Sequence, residues 1–330
     1  MKKPDVSVVI SSYNKRETIG QSIRSVLLQE GVLFELIVVD DGSTDGSSNI
    51  LDAFLRDERV KIIRKGHSGI SATKNIGTAN ARSDIVYFVD GDCVLDQNSL
   101  AMLLSSFTIP RIGCVGGAVR AVNKSNSMAN AIELMQNEVE RKWPFGANVA
   151  YRKEVLNRTG GFDESAEGGE DVDLFLRTTK MGFGFAYNPA IVVRTVNPES
   201  FSSFLNQRYR WGKGFVQLAE RHKEVLTARI RLCFALTLLT LFSPVLALLD
   251  IRMILLFPSF LVLCVGRFLP SAFRIAKRAS DRRGIILLPI LRFLNGVAYL
   301  ASWFRWKVFG LFEKGTLKRS ILEEARSLSN

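Results

Sequence analysis

The chain has 330 residues, room for two domains of ordinary size. With 47% apolar and 23% charged residues it can bury a real core and is not a globally disordered chain. The formal net charge of +12 is concentrated in residues 229–330, which hold 16 Lys and Arg against five Asp and Glu; residues 1–228 hold 28 against 27. The basic third is also the apolar one, so membrane lipids are the expected partner and nucleic acid is not. Four cysteines (Cys93, Cys114, Cys233 and Cys264) lie far apart with no Cys-x-x-C or Cys/His cluster. That argues against a disulfide scaffold and a structural zinc site, and suits a reducing compartment.

No apolar stretch follows the charges of Met1-Lys2-Lys3-Pro4-Asp5, so a cleaved signal peptide is not expected and the first domain should stay in the cytoplasm. Residues 6–10 read as a short buried strand, followed by a loop at Ser11-Ser12-Tyr13-Asn14. Residues 17–29 have helical spacing, with Ile19, Ile23, Val26 and Leu27 on one face. A second strand is expected over 35–40, ending in the turn Asp41-Gly42-Ser43; then a helix over 48–56, a strand over 60–64, a helix over 71–81 and a strand over 84–89. This alternation predicts βαβ units and a mostly parallel sheet. Ligands of such sheets bind beyond the C-terminal strand ends. From 100 to 200 the pattern loosens, with helices expected near 126–142 and 171–181 and Gly-rich loops between them.

Three apolar runs follow: 232–249 without a charge, 253–266, and 284–304 with one charge, Arg292. A spanning helix takes about 20 apolar residues, so the first run qualifies and the second is short. The two read as a hairpin. The basic segment 267–283 and Arg229/Arg231 belong on the cytoplasmic side by the positive-inside rule. In the third run Arg292, Asn295, Tyr299, Ser302 and Arg305 share one helical face. That face suits a helix lying in the interface; the alternative is a third span whose polar face turns to other helices. The expected division is therefore a domain at 1–228 and a membrane region at 229–330, at the inner membrane of the cell.

Three acidic clusters stand out: Asp40-Asp41-Gly42-Ser43, the Asp-x-Asp of Asp90 and Asp92, and Gly168-Gly169-Glu170-Asp171-Val172-Asp173. Singly each has a plain explanation: a turn, chance, and capping of a helix start. Together they place two acidic groups at strand ends of one sheet and a third on a glycine-rich loop. Such a crevice suits a metal diphosphate with a separate base nearby.

In sequence order, Val6-Ser-Val-Val-Ile-Ser-Ser-Tyr-Asn14, Val38-Val-Asp-Asp-Gly-Ser-Thr-Asp45, Gly69-Ile-Ser-Ala-Thr-Lys-Asn-Ile-Gly77, Phe88-Val-Asp-Gly-Asp92, Gly146-Ala-Asn-Val-Ala-Tyr-Arg152, Gly160-Gly-Phe-Asp163 and Gly169-Glu-Asp-Val-Asp173 resemble family 2 glycosyltransferases over residues 4–228. The resemblance implies an inverting enzyme of the GT-A fold, an α/β architecture with a nucleotide-binding sheet flanked by helices. It implies a UDP- or GDP-sugar donor and Mg²⁺ or Mn²⁺. It also implies roles. Ser11 and Tyr13 flank the base, Asp41 bonds the base or ribose, and Lys74 meets a phosphate where the family often has Arg. Asp90 lies near the ribose or sugar, Asp92 ligates the metal, and Asp171 is the general base with Glu170 as its rival. Asp173 is expected as a cap or loop tether.

Gly146, Ala147 and Asn148 are expected to wall the acceptor side. Trp143 and Phe145 are candidates for stacking on a sugar, with simple packing as the alternative. Gln207-Arg208-Tyr209-Arg210-Trp211 resembles the Gln-x-x-Arg-Trp motif of processive members, where Gln207, Arg210 and Trp211 border acceptor and diphosphate; an amphipathic surface helix explains the same residues. His67 receives no role, and His222 is expected to be solvated or interfacial. The resulting function is transfer of one sugar to a lipid-linked or membrane-proximal saccharide. The alternatives are a processive polysaccharide synthase and a non-catalytic tethered subunit.

Overall fold

The computed structural model describes residues 2–137, 142–225 and 283–305, with 231, 235–240 and isolated positions between 259 and 273. The runs 232–249 and 253–266 and the basic segment 267–283 fall largely outside the described residues. The chain divides into two compact units, Met1–Glu199 and Ser200–Asn330.

The first unit is built on strands β1 (Val6–Ser12), β2 (Phe34–Asp40), β3 (Val60–Arg64), β4 (Ile85–Asp90), β5 (Val94–Leu95), β6 (Ile112–Ala121), β7 (Asn148–Arg152) and β8 (Gly184–Thr195). They form one sheet in the order β3-β2-β1-β4-β7-β6-β8-β5. β1 pairs in parallel with β2 and β4, and β2 with β3; β7 runs antiparallel to β4 and β6. This is the expected mostly parallel α/β arrangement. The helices are α1 (Ile19–Leu27), α2 (Ser47–Asp52), α3 (Ile70–Asn80), α4 (Ser99–Ser106), α5 (Ser127–Asn137), α6 (Lys153–Thr159) and α7 (Glu170–Lys180).

β1 and β2 are buried along their lengths because both faces are covered. One core layer gathers Val8, Ile10, Ile19, Ile23, Leu36 and Tyr87; the other gathers Val9, Ile37, Phe88, Val149 and Leu174. β1 runs two residues further than its apolar run. Ser11 pairs with Val39 and Asp90, and Ser12 with Asp40, so flanking strands carry the ladder through the expected loop. That extension brings the ends of β1, β2 and β4 level at one edge.

The second unit contains α8 (Phe201–Arg221), a 3-10 turn (Lys223–Val225) and α9 (Arg283–Phe304). α8 starts in a capping box between Ser200 and Ser203. It belongs to the second unit although its charges hide it from the composition change at 228: Phe204, Val216 and Leu218 are buried. Within α9, Leu287–Phe304 is 18 residues long and apolar enough to cross a membrane. The polar face of α9 meets α8. Tyr299 stacks on Phe215 at 5.2 Å and Arg305 donates to the Tyr209 hydroxyl at 3.2 Å. That face of α9 is thus turned to another helix.

Candidate active site

Beyond the C-terminal ends of β1, β2 and β4 lies a cleft of about 340 Å³. Its walls include Ser11, Ser12, Tyr13 and Lys15 from the first βα connection, Asp41 after β2, and Asp90 and Asp92 after β4. His67, Gly69, Ile70 and Thr73 complete it. Five of the expected donor and metal residues, Ser11, Tyr13, Asp41, Asp90 and Asp92, therefore share one opening.

Three buried polar atoms here have no hydrogen-bond partner: Ser11 Oγ, Ser12 Oγ and Asp90 Oδ1. Buried polar atoms are paired in nearly all folded structures, so orphans gathered at one cleft mark where a ligand's polar groups would dock. Burial pushes the Asp90 carboxyl up to about 6, helped by the nearby Asp92 and Glu170 charges and opposed by Lys74 and Lys15. Asp92 is half-buried and pairs with the Lys15 ammonium. Among the described residues no group of three His, Cys, Asp or Glu side chains gathers into a protein-only metal cage. An Asp-x-Asp with a free buried oxygen instead fits a hard divalent ion whose other ligands are diphosphate oxygens and water.

Asp41 is held from all sides. Its Oδ1 accepts from the Ser68 N–H at 2.8 Å and from Lys65, and its Oδ2 from the Gly69 N–H at 3.0 Å. Burial works against its charge, yet Lys65 and the two amides hold its carboxyl below the usual range. Both oxygens are thus committed to the loop after β3. Asp41 lines the cleft with its carboxylate oriented by that loop.

The acids of α7 form a second cluster. Gly169 precedes the helix at φ 70°, and Glu170, Asp171 and Asp173 occupy the first turn, where the helix dipole favours negative charge. Lys74 on α3 is buried and donates to Glu170 Oε1 at 2.9 Å. Burial opposes its charge, but Glu170, Asp90 and Asp171 together raise its pKa. Lys74 is therefore the counter-ion linking the β4 end to α7, not a residue open to a phosphate in the cleft. Asp171 Oδ2 accepts the Gly146 N–H at 2.8 Å, and its Oδ1 the Val172 N–H at 2.8 Å. A Cβ on Gly146 would lie 2.9 Å from Lys74 Nζ and 3.1 Å from Asp171 Cβ, so only glycine allows this approach. Burial, then the Glu170 charge, push the Asp171 carboxyl up to about 6. Of the two acids, Glu170 is paired with Lys74, and Asp171 is held by two backbone N–H groups with its carboxyl pushed up.

Asp173 is a tether: it pairs with Arg177 at 2.7 Å, and Arg177 donates to Thr159 O at 2.7 Å and Gly161 O at 2.8 Å. This clamps the Gly-rich loop to α7.

Comparison with known proteins places this geometry. Glycosyl transferase family 2 matches residues 7–162, and glycosyl transferase family group 2 matches residues 85–276. The chain belongs to glycosyltransferase family 2. This family 2 chain is 26% identical over 235 residues to the probable glycosyltransferase YdaM of Bacillus subtilis, covering 64% of itself and 55% of that protein. It is 28% identical over 228 residues to glycosyltransferase AglE of Haloferax volcanii, covering 65% of itself and 74% of AglE. Poly-beta-1,6-N-acetyl-D-glucosamine synthase of Staphylococcus epidermidis is 24% identical over 232 residues, with 63% and 54% covered. The matches span between about half and three-quarters of these relatives. In fold, the chain is similar to the mannosyltransferase PcManGT of Pyrobaculum calidifontis, solved with GDP-Man and Mn²⁺: TM-score 0.60, 20% identity, 91% of this chain and 87% of that one.

The site departs from the sequence reading elsewhere too. Asn148 is not an acceptor wall. It is fully buried, accepting from the Tyr87 hydroxyl at 2.7 Å and donating to Ala118 O and Ile191 O at 2.9 and 3.1 Å. Trp143 and Phe145 are partly buried against the two core layers, the packing alternative. On α8, Arg210 is exposed, Gln207 Oε1 is buried without a partner, and Trp211 is 41% exposed with the Arg208 guanidinium 4.4 Å over its ring. His222 is buried rather than solvated. Two cleft residues carried no sequence signal: Lys15, the partner of Asp92, and His67. His67 Nδ1 lies 2.9 Å from Asp41 Oδ2, and its ring stacks on Tyr13 with centroids 4.2 Å apart.

Proposed function

We propose that this chain is a membrane-associated inverting glycosyltransferase moving one sugar from a UDP- or GDP-sugar to a lipid-linked or membrane-proximal saccharide, in synthesis of a cell-surface glycan or glycolipid. The carrying observation is that one cleft beyond the ends of β1, β2 and β4 gathers Asp90 and Asp92 with the unpartnered Ser11 and Ser12 hydroxyls, while the buried Lys74 charge is shared by Asp90, Glu170 and the backbone-oriented Asp171.

Ser11 and Ser12 offer unpartnered hydroxyls to the nucleoside, Tyr13 offers a ring face, and Asp90 meets the ribose or sugar. Asp92, with Asp90, is the pair that would hold Mg²⁺ or Mn²⁺, which supplies neutralisation of the departing diphosphate when bound. Asp171 accepts the proton of the acceptor hydroxyl as that oxygen bonds to the anomeric carbon. The bond from that carbon to the diphosphate oxygen breaks, its electron pair leaving with the nucleoside diphosphate. A single displacement inverts the anomeric configuration. Lys74 pairs with Glu170, which leaves the proton to Asp171. The apolar helix α9 and the basic C-terminal composition support a membrane setting with the sheet on the cytoplasmic side.

The Gln207–Trp211 segment and the likeness to a polysaccharide synthase favour a second reading, processive polymerisation. Product analysis separates the two. Full-length protein in detergent, given labelled donor and membrane lipid extract, is expected to yield one organic-extractable species carrying a single sugar. A polymer ladder would support processive synthesis. Donor hydrolysis without any transferred product would contradict both.

A further inference from the structure

We infer that the seam between α8 and α9 binds the phosphate of an anionic membrane phospholipid, gripped by the side edge of the Arg208 guanidinium. The inference rests on the membrane-associated reading above and adds a lipid and its ligating residue to it.

Arg208 on α8 is only 6% exposed, and its Nε and Nη2 have no hydrogen-bond partner. These two nitrogens make one edge of the planar guanidinium, a fork whose N–H bonds match two oxygens of one phosphate or carboxylate. The guanidinium hydrogen-bonds the Tyr299 side chain of α9, and the rings of Phe204 and Trp211 flank it with centroids 5.0 and 4.4 Å away. Among the described residues no carboxylate pairs with it. A buried charge without a partner is costly, so the open fork marks the place of an anion supplied from outside this helix pair. The helices come close here: a Cβ on Gly212 would lie 2.7 Å from Ser302 Cβ and 3.3 Å from Tyr299 Cα. That approach keeps Arg208 against α9.

Position along α9 identifies the anion. Arg305 directly follows the apolar stretch Leu287–Phe304 and donates to the hydroxyl of Tyr209, the residue after Arg208. Arg208 therefore stands near one end of that stretch, not at its middle. Trp211 and Trp303 are exposed at the same end. Trp, Tyr and Arg gather at the headgroup level of a bilayer, where the two-oxygen anion at hand is a lipid phosphate. Trp211, the ring nearest the guanidinium, is itself exposed, so its movement opens the fork to the headgroup layer.

The test is native mass spectrometry of the full-length, detergent-purified protein titrated with dioleoyl phosphatidylglycerol, or with dioleoylglycerol, which lacks the phosphate. One phosphatidylglycerol per chain is expected to be retained, and dioleoylglycerol is not. Arg208→Lys keeps the charge and loses the fork, and Arg208→Leu loses both; each is expected to weaken retention by about tenfold or more. Arg221→Gln removes one charge from an exposed position of the same helix and is expected to change nothing. Equal retention of the two lipids by the unaltered protein would overturn the inference. So would unchanged retention in Arg208→Lys, or an equal loss in Arg221→Gln. Displacement of the lipid by inorganic phosphate or by UDP with Mn²⁺ would assign the fork to a soluble phosphate or to the donor, and would overturn it too. Failure of the unaltered protein to float with phosphatidylglycerol or phosphatidylcholine vesicles would instead bring down the membrane reading itself.

Discussion

Replacing Asp171 by Asn removes the proposed base while keeping its shape. The Asn oxygen still accepts the Gly146 N–H that now reaches Asp171 Oδ2 at 2.8 Å and gives up only the Val172 N–H bond, so donor affinity should hold. A general base contributes about 10²- to 10⁴-fold, or about 3–5 kcal/mol of transition-state stabilisation, and kcat should fall by that factor. The pH profile gives a second, independent reading. Asp171 has its carboxyl pushed up to about 6, and the active form is the carboxylate, so activity is present above this value and is lost as pH falls through it. At pH 7.5 about 97% of the base is ionised, and at pH 5 about a tenth, so kcat/KM should drop about tenfold between them. The assay is the initial rate of nucleoside diphosphate release from pH 4.5 to 8.5, for the unaltered protein and for Asp171→Asn. An Asp171→Asn rate within tenfold of the unaltered protein would refute the assignment.

Asp92→Asn should abolish stimulation by added Mn²⁺ while leaving the thermal unfolding midpoint close to unchanged, because its side chain is 35% exposed; metal titrations of activity check this. Gly146→Ala places a methyl 2.9 Å from Lys74 Nζ and should lower kcat by about tenfold through displacement of Asp171, with secondary structure by circular dichroism intact. Glu170→Gln leaves the buried Lys74 facing only Asp90 and Asp171, and should lower stability by up to about 3 kcal/mol in denaturant titrations. Arg177→Leu removes the clamp on Thr159 O and Gly161 O and should cost about 1–3 kcal/mol by the same measurement.

The first half of the sheet was legible because its strands are short apolar runs closed by polar turns, and its helices keep a 3.6-residue apolar face. Periodicity alone placed β2, β3, β4, α3 and α7 within about a residue. The end of β1 was not legible: Ser11 and Ser12 look like a loop, and only pairing with Asp90 and Asp40 makes them strand. β6 and β8 were missed for a related reason. β8 carries Asn188 and Pro189 in its middle and is half-exposed, so its apolar residues are split into Phe185–Tyr187 and Ala190–Val193.

At the site, the acids declared themselves through their order along the chain, whereas the roles of their neighbours depend on distant partners. Asn148 is a core residue only because Tyr87, Ala118 and Ile191 surround it, 61, 30 and 43 residues away in sequence. His67 reaches Asp41 because β2 and β3 pair with Asp40 opposite Arg64, which lays the following loop against the turn. Lys74 reads as a phosphate ligand by its place in the family pattern, and becomes a buried counter-ion once α7 packs beside α3.

The most direct measurement is nucleoside diphosphate release by the full-length, detergent-purified protein across a panel of UDP- and GDP-sugars, with membrane lipid extract, with and without chelator. Release with one donor class that requires both metal and lipid extract is the predicted result. Tight metal-dependent binding of that nucleotide with no release under any acceptor condition would contradict the proposed catalysis and leave a donor-binding, membrane-tethered subunit in its place.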